Sequence, residues 1–156
     1  MRSTYTRFRW PCRRTDRIAF AIAIVIASSS IPIAFGWAGP SVWDGVYSAS
    51  QANRGQALYS KACASCHKAE LEGHGPTPSL AGPEFRDRWD GQALGDLFEK
   101  MQATMPGDHP GSLSREENAA ILAFILRSNE MPVGEKDLRT ESDWLGKILF
   151  KAAKSE

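Results

Sequence analysis

Cys63-Ala64-Ser65-Cys66-His67 brings two thiols and an imidazole together on a short stretch of chain. The spacing sets the two sulfurs about one turn apart on one side of a helix end, with the imidazole following as the chain leaves that end. A disulfide is the ordinary fate of two cysteines in an oxidising compartment. A thioredoxin-type redox pair needs a preceding strand and a βαβ context, whereas the residues before Cys63 read as helix. Zinc would need both thiolates and two of His67, His74 and His109, and the chain has no second cysteine pair to complete such a site. The histidine immediately after the second cysteine points elsewhere. CxxCH is the signature of covalent attachment of a c-type haem, in which each thiol adds to a porphyrin vinyl group and the neighbouring imidazole ligates the iron.

The compartment follows from the first residues. Six arginines and one acid, Asp16, lie between residues 2 and 17, and a charge-free apolar stretch runs from Ile18 to Ala38. A basic region, an apolar region and the small residues Gly36 and Ala38 around Trp37 form a secretory signal with a cleavage point after Ala38. Residues 1–38 are therefore expected to be a signal peptide. The other reading is a retained membrane anchor, since an apolar stretch of this length spans a bilayer when helical, although Ser28 to Ser30 and Pro32 weaken it. Arg13-Arg14 hints at a twin-arginine signal, but the residues after it do not fit that motif. Both readings export the rest of the chain.

Removing the leader takes Cys12 with it and leaves 13 basic against 17 acidic side chains, a formal charge of about −4. No basic patch survives to favour nucleic acid.

The exported part reads as all-α. Ser50 to Cys66 is rich in helix formers, with Ser50 as a candidate N-cap. Gly73 to Pro83 is an irregular Gly- and Pro-rich loop. Leu94, Leu97, Phe98, Met101 and Met105 recur at helical spacing, and Pro106-Gly107 ends that helix. Ser114-Arg115-Glu116-Glu117 is a capping box opening a helix to about Asn129, apolar without interruption from Ala119 to Leu126 and so buried on most sides. A last helix is expected from Thr140 or Ser142, carrying Trp144, Leu145, Ile148, Leu149 and Phe150. No alternating strand pattern occurs. One domain is expected over residues 39–135, with residues 136–156 as a helical extension.

Over almost all of the exported part the sequence resembles the class I cytochromes c, whose fold packs short helices around one covalent haem. Gly55-Gln56-Ala57-Leu58-Tyr59 resembles the family's N-terminal helix, in which Gly55 lets a later helix cross closely and Tyr59 packs against it. Phe124 matches the aromatic on that crossing helix. Pro78-Ser79-Leu80-Ala81-Gly82 resembles the segment after the haem motif, which implies that the Pro78 carbonyl accepts the Nδ1 proton of His67 and leaves Nε2 for the iron. Trp89, after Phe85, matches a haem-lining aromatic; plain core is the other reading.

The second axial ligand is to be found among Met101, Met105, Met131 and His109. Met101 lies within the apolar stripe of its helix, as core methionines do. Met105 closes that helix just before Pro106, as the family's distal methionine does, and is the expected ligand. Choosing Met131 would leave the helix after Ser114 without its family role, and His109 sits in a loop. His74, in the Gly-Pro loop, reads as solvated. The stretch from Thr104 to Leu126 most resembles small cytochromes that accept electrons from periplasmic dehydrogenases.

The expectation is thus a periplasmic electron carrier and not an enzyme. It would take single electrons from a dehydrogenase and pass them towards a terminal oxidase or another cytochrome. The alternatives are a membrane-anchored subunit of a respiratory complex, which would retain residues 18–38, and a haem peroxidase, which needs an open distal position.

Overall fold

Six α-helices and one 3₁₀ turn, with no strand, build the described residues, 39–154, of the computed structural model. The expected signal peptide lies outside these residues. The helices are α1 (Ala49–Ala62), α2 (Ala64–His67), α3 (Pro83–Trp89), α4 (Leu94–Thr104), α5 (Arg115–Ser128) and α6 (Ser142–Leu145).

Local chemistry explains most of the boundaries. The Ser114 hydroxyl accepts from the Glu117 amide while the Glu117 carboxylate accepts from the Ser114 amide, so the capping box fixes the start of α5 as expected. Met105, in extended conformation, ends α4. The N-cap of α1 is Ser48, two residues before the expected Ser50, and its hydroxyl accepts from the Gln51 amide. The single helix expected through Cys66 is two: the chain breaks at Cys63, which closes α1 and opens α2. Two further elements were not anticipated. The 3₁₀ turn Val42–Asp44 carries its own capping box, with Ser41 and Asp44. Helix α3 starts on Pro83, whose fixed φ suits a first helical position.

The centre of the fold is the crossing of α1 and α5, closest at Gly55 and Ala120. Tyr59 and Phe124 meet beside it, ring centroids 5.2 Å apart and planes tilted by 54°. From Asn118 to Leu126 every residue of α5 is buried, which accounts for its unbroken apolar run. Helix α4 packs on α5 and α6, and Phe98, Leu94 and Leu97 fill the space between.

The tail departs from expectation in shape. Its helix is a single turn, α6, and beyond Gly146 the chain is extended. Leu149 donates to the Pro40 carbonyl and accepts from Val42, while Phe150 donates to Gln92 and accepts from Gly91. Ile148 and Phe150 are fully buried with the more exposed Leu149 between them, an alternation of period two. Phe150 packs edge-on against Phe85 at 5.9 Å, so the tail is part of the same core as α3. Residues 131–138 are likewise stitched to the start of α1. Tyr47 donates to the Met131 carbonyl at 2.6 Å, and the Gln51 side chain donates to the Leu138 carbonyl and accepts its amide.

Candidate functional site

The break at Cys63 shapes the site. Because α1 ends there and α2 begins one residue later, Cys63, Cys66 and His67 all reach one cleft of about 420 Å³. Its other walls come from the loop through Pro78, from Phe85 and Trp89 of α3, from Leu97 and Met101 of α4, and from Ile121 and Ile125 of α5. The surface is mainly apolar, as a flat apolar cofactor requires.

His67 is buried, 7% exposed, and its Nδ1 lies 2.9 Å from the carbonyl oxygen of Pro78. With Nδ1 donating to that carbonyl, Nε2 is the nitrogen available to a metal. The loop that presents Pro78 is tied down in turn. Leu80 donates to the Leu71 carbonyl at 2.8 Å. Asn129, fully buried at the end of α5, donates to the Leu80 carbonyl at 2.9 Å and accepts from the Gly82 amide at 3.1 Å. Tyr59 donates to the Lys68 carbonyl at 2.7 Å, fixing the chain just after His67. Its phenol is held above the ordinary range by burial first, with Cys63 and Glu70 adding to the effect.

Cys63 and Cys66 are free thiols, Cys63 half-buried and Cys66 exposed. Burial, reinforced by Cys66, pushes the Cys63 thiol up to about 11. It is therefore protonated at neutral pH and a weak nucleophile until its environment changes.

Of the methionines and histidines weighed for the distal position, Met105 and Met101 line the cleft. Met131 is buried in the core and does not line it, and the His109 side chain is 77% exposed beside Asp108. His74 is exposed in its loop. Met105 is set on the wall by the end of α4, its amide donating to the Met101 carbonyl at 2.9 Å, and its own carbonyl accepts from Gly111 at 3.3 Å. Trp89 is 8% exposed and carries the Lys100 ammonium 5.7 Å from its ring centroid.

Sequence reasoning missed Asn118, Asn129 and Gln102. Asn118 lines the cleft, is fully buried, and its Oδ1 has no partner among protein atoms. An unpaired buried carbonyl costs roughly 1–3 kcal/mol. The available signal was a polar residue at the head of a wholly apolar run.

The sequence model of the family described as "Cytochrome C oxidase, cbb3-type, subunit III" matches residues 50–125, from the start of α1 through most of α5. Residues 50–125 are thus a class I c-type cytochrome domain. The cytochrome's fold is accordingly the all-α class I cytochrome c fold. A solved structure, the sulfane dehydrogenase SoxCD from Paracoccus pantotrophus, is similar at 24% identity and a TM-score of 0.47 over 73% of the cytochrome. The cytochrome spans 61% of that chain. No curated protein matches its sequence.

The cofactor of this family is haem c, and the residues of the cleft fit it. The cytochrome offers an imidazole with Nε2 free, two unpaired thiols on the same wall, a thioether at the end of α4 and an apolar interior.

Proposed function

We propose that this cytochrome is a single-electron carrier of the periplasm, with one haem held covalently through Cys63 and Cys66 and ligated by His67 and Met105. The observation that carries the reading is the His67–Pro78 pairing within a cleft that Met105 also lines. When bound, the haem supplies a one-electron ferric/ferrous couple. The Cys63 and Cys66 thiols would hold the haem through thioether bonds to its two vinyl groups, an attachment that consumes no oxidant. Pro78 holds the Nδ1 proton of His67, fixing the ring's tautomer and orientation. A Met105 thioether favours the reduced iron and raises the potential. That suits a carrier between a dehydrogenase as donor and an oxidase or another cytochrome as acceptor. Trp89 and Phe85 of α3 add apolar surface to the wall of the cleft. A distal position filled by Met105 argues against peroxidase chemistry and for a carrier rather than an enzyme.

The export reading rests on the basic region and the charge-free stretch 18–38. A second reading, a membrane-anchored subunit of a respiratory complex, draws on the same stretch if it is retained and on the description of the matching family. No helix among the described residues is long and apolar enough to cross a membrane.

The deciding experiment is expression of the full chain in a host that matures c-type haem. Mass spectrometry of the product should show one haem added and a chain starting near Gly39; a chain retaining residues 18–38 in the membrane fraction supports the anchored reading. Absence of haem from chains denatured in acid would refute both.

A further inference from the structure

Two carboxamides, Asn118 fully buried and Gln102 half-buried, join the end of α4 to the start of α5. Gln102, on the last turn of α4, donates through Nε2 to the Leu113 carbonyl at 3.0 Å. Asn118, on the first turns of α5, donates through Nδ2 to Gln102 Oε1 at 3.1 Å and reaches the Leu113 and Ser114 carbonyls at 3.4 and 3.3 Å. Those two carbonyls fix which way the Asn118 amide faces: turning it over would set oxygen against oxygen. The loop that starts at Met105 returns to the cleft wall at Leu113, where both side chains grip it. Asn118 lies in an otherwise apolar buried stretch and leaves its Oδ1 unpaired. Such a group needs a compensating role, and its grip on the loop supplies one.

We infer that Asn118 and Gln102 form a clasp that holds the Met105 loop closed, making Asn118 a positioning residue for the distal ligand. The inference rests on the proposed ligation by Met105. Without the clasp the α4–α5 connection is tied mainly by its own turns, and the fraction of molecules with the distal position open rises. An external ligand binds in proportion to that fraction.

The test uses the haem-loaded full chain and reads three quantities: the sulfur-to-iron band of the ferric protein, the dissociation constant for cyanide, and the urea midpoint. Asn118→Ala and Gln102→Ala should each weaken the band and tighten cyanide binding about tenfold, and the double variant should gain no more than about the larger single effect, as for members of one network. Gln51→Ala is the control. It removes a buried carboxamide that grips Leu138 away from the cleft, so it should lower the urea midpoint and leave cyanide binding unchanged. Cyanide binding that stays unchanged in Asn118→Ala and Gln102→Ala while the urea midpoint falls, as in the control, overturns the clasp. If Asn118→Ala fails to take up haem, Gln102→Ala alone decides by the same criteria. Met105→Ala separates the two claims: an unchanged band there removes the ligand assignment, whatever the clasp variants do.

Discussion

Gly55 of α1 lies directly beneath Ala120 of α5, so close that a Cβ on the glycine would meet the Ala120 carbonyl oxygen at 1.8 Å. No rotamer relieves such a contact, because both partners are backbone. Gly55→Ala must push the two helices apart at the point where Tyr59 and Phe124 pack. Overpacking of this kind costs about 1–3 kcal/mol, and backbone against backbone belongs at the upper end. The urea midpoint of the haem-loaded protein should fall accordingly; an unchanged midpoint would mean that α1 and α5 slide without cost.

The thiols give the second prediction. Replacing both Cys63 and Cys66 by Ala should abolish haem that survives acid denaturation and leave a poorly folded chain, because the cleft then loses the cofactor that joins its walls. Haem remaining with the double variant after acid treatment and chromatography would sink the attachment.

The distal ligand gives the third. Met105→Ala should abolish the sulfur-to-iron band and lower the reduction potential. Met101→Leu and Met131→Ala should keep the band, the first because its helix position packs against the interior, the second because Met131 lies in the core away from the cleft. Loss of the band in Met101→Leu alone would move the ligand back by one helical turn.

How much of this was legible in the sequence depends on how local each cause was. The Ser114 capping box and the helix end before Pro106 are each written within a few residues, and both boundaries stand where they were expected. Helix α3 was hidden by Pro83, which reads as loop punctuation when it follows Gly82 but also suits a helix start. The tail misled for a different reason. Leu145, Ile148 and Phe150 fit a helical stripe on paper, yet Ile148 and Phe150 are buried by pairing with residues 40–42 and 91–94, distant in sequence. Asn118, Asn129 and Gln102 were missed because a carboxamide carries no mark of burial until its partners are known.

The tail leads to the fourth prediction. Phe150 is fully buried against Phe85, and truncating a buried Phe to Ala costs about 3–5 kcal/mol. Phe150→Ala should therefore show a large loss in urea midpoint, whereas Leu149→Ala, on the exposed side of the same segment, should lose far less. Equal losses would contradict the alternation.

The fifth concerns pH. Asp137 accepts from Ser48 and pairs with Arg54, and the Ser48 hydrogen bond first, then Arg54, hold its carboxyl below the ordinary aspartate value despite some opposing burial. A depressed folded pKa contributes stability that is present above the unfolded value, near 4, and is lost as pH falls through the folded value. Asp137→Asn should thus destabilise the protein at neutral pH, by less than about 1 kcal/mol for so exposed a pair, and the gap to the parent should close in strong acid. Urea midpoints between neutral pH and about pH 2 check the sign; a gap that widens on acidification would contradict it.

The extended segment at 148–150 also governs when the molecule can exist at all. It supplies hydrogen-bond partners to residues 40–42 and to 91–94 at once, so the earliest and the middle parts of the domain stay incomplete until residue 150 has joined them. Contacts between such distant stretches of chain form late and slowly. A nascent chain that stops short of residue 150 therefore has no finished core to commit to. The lock closes from the far end.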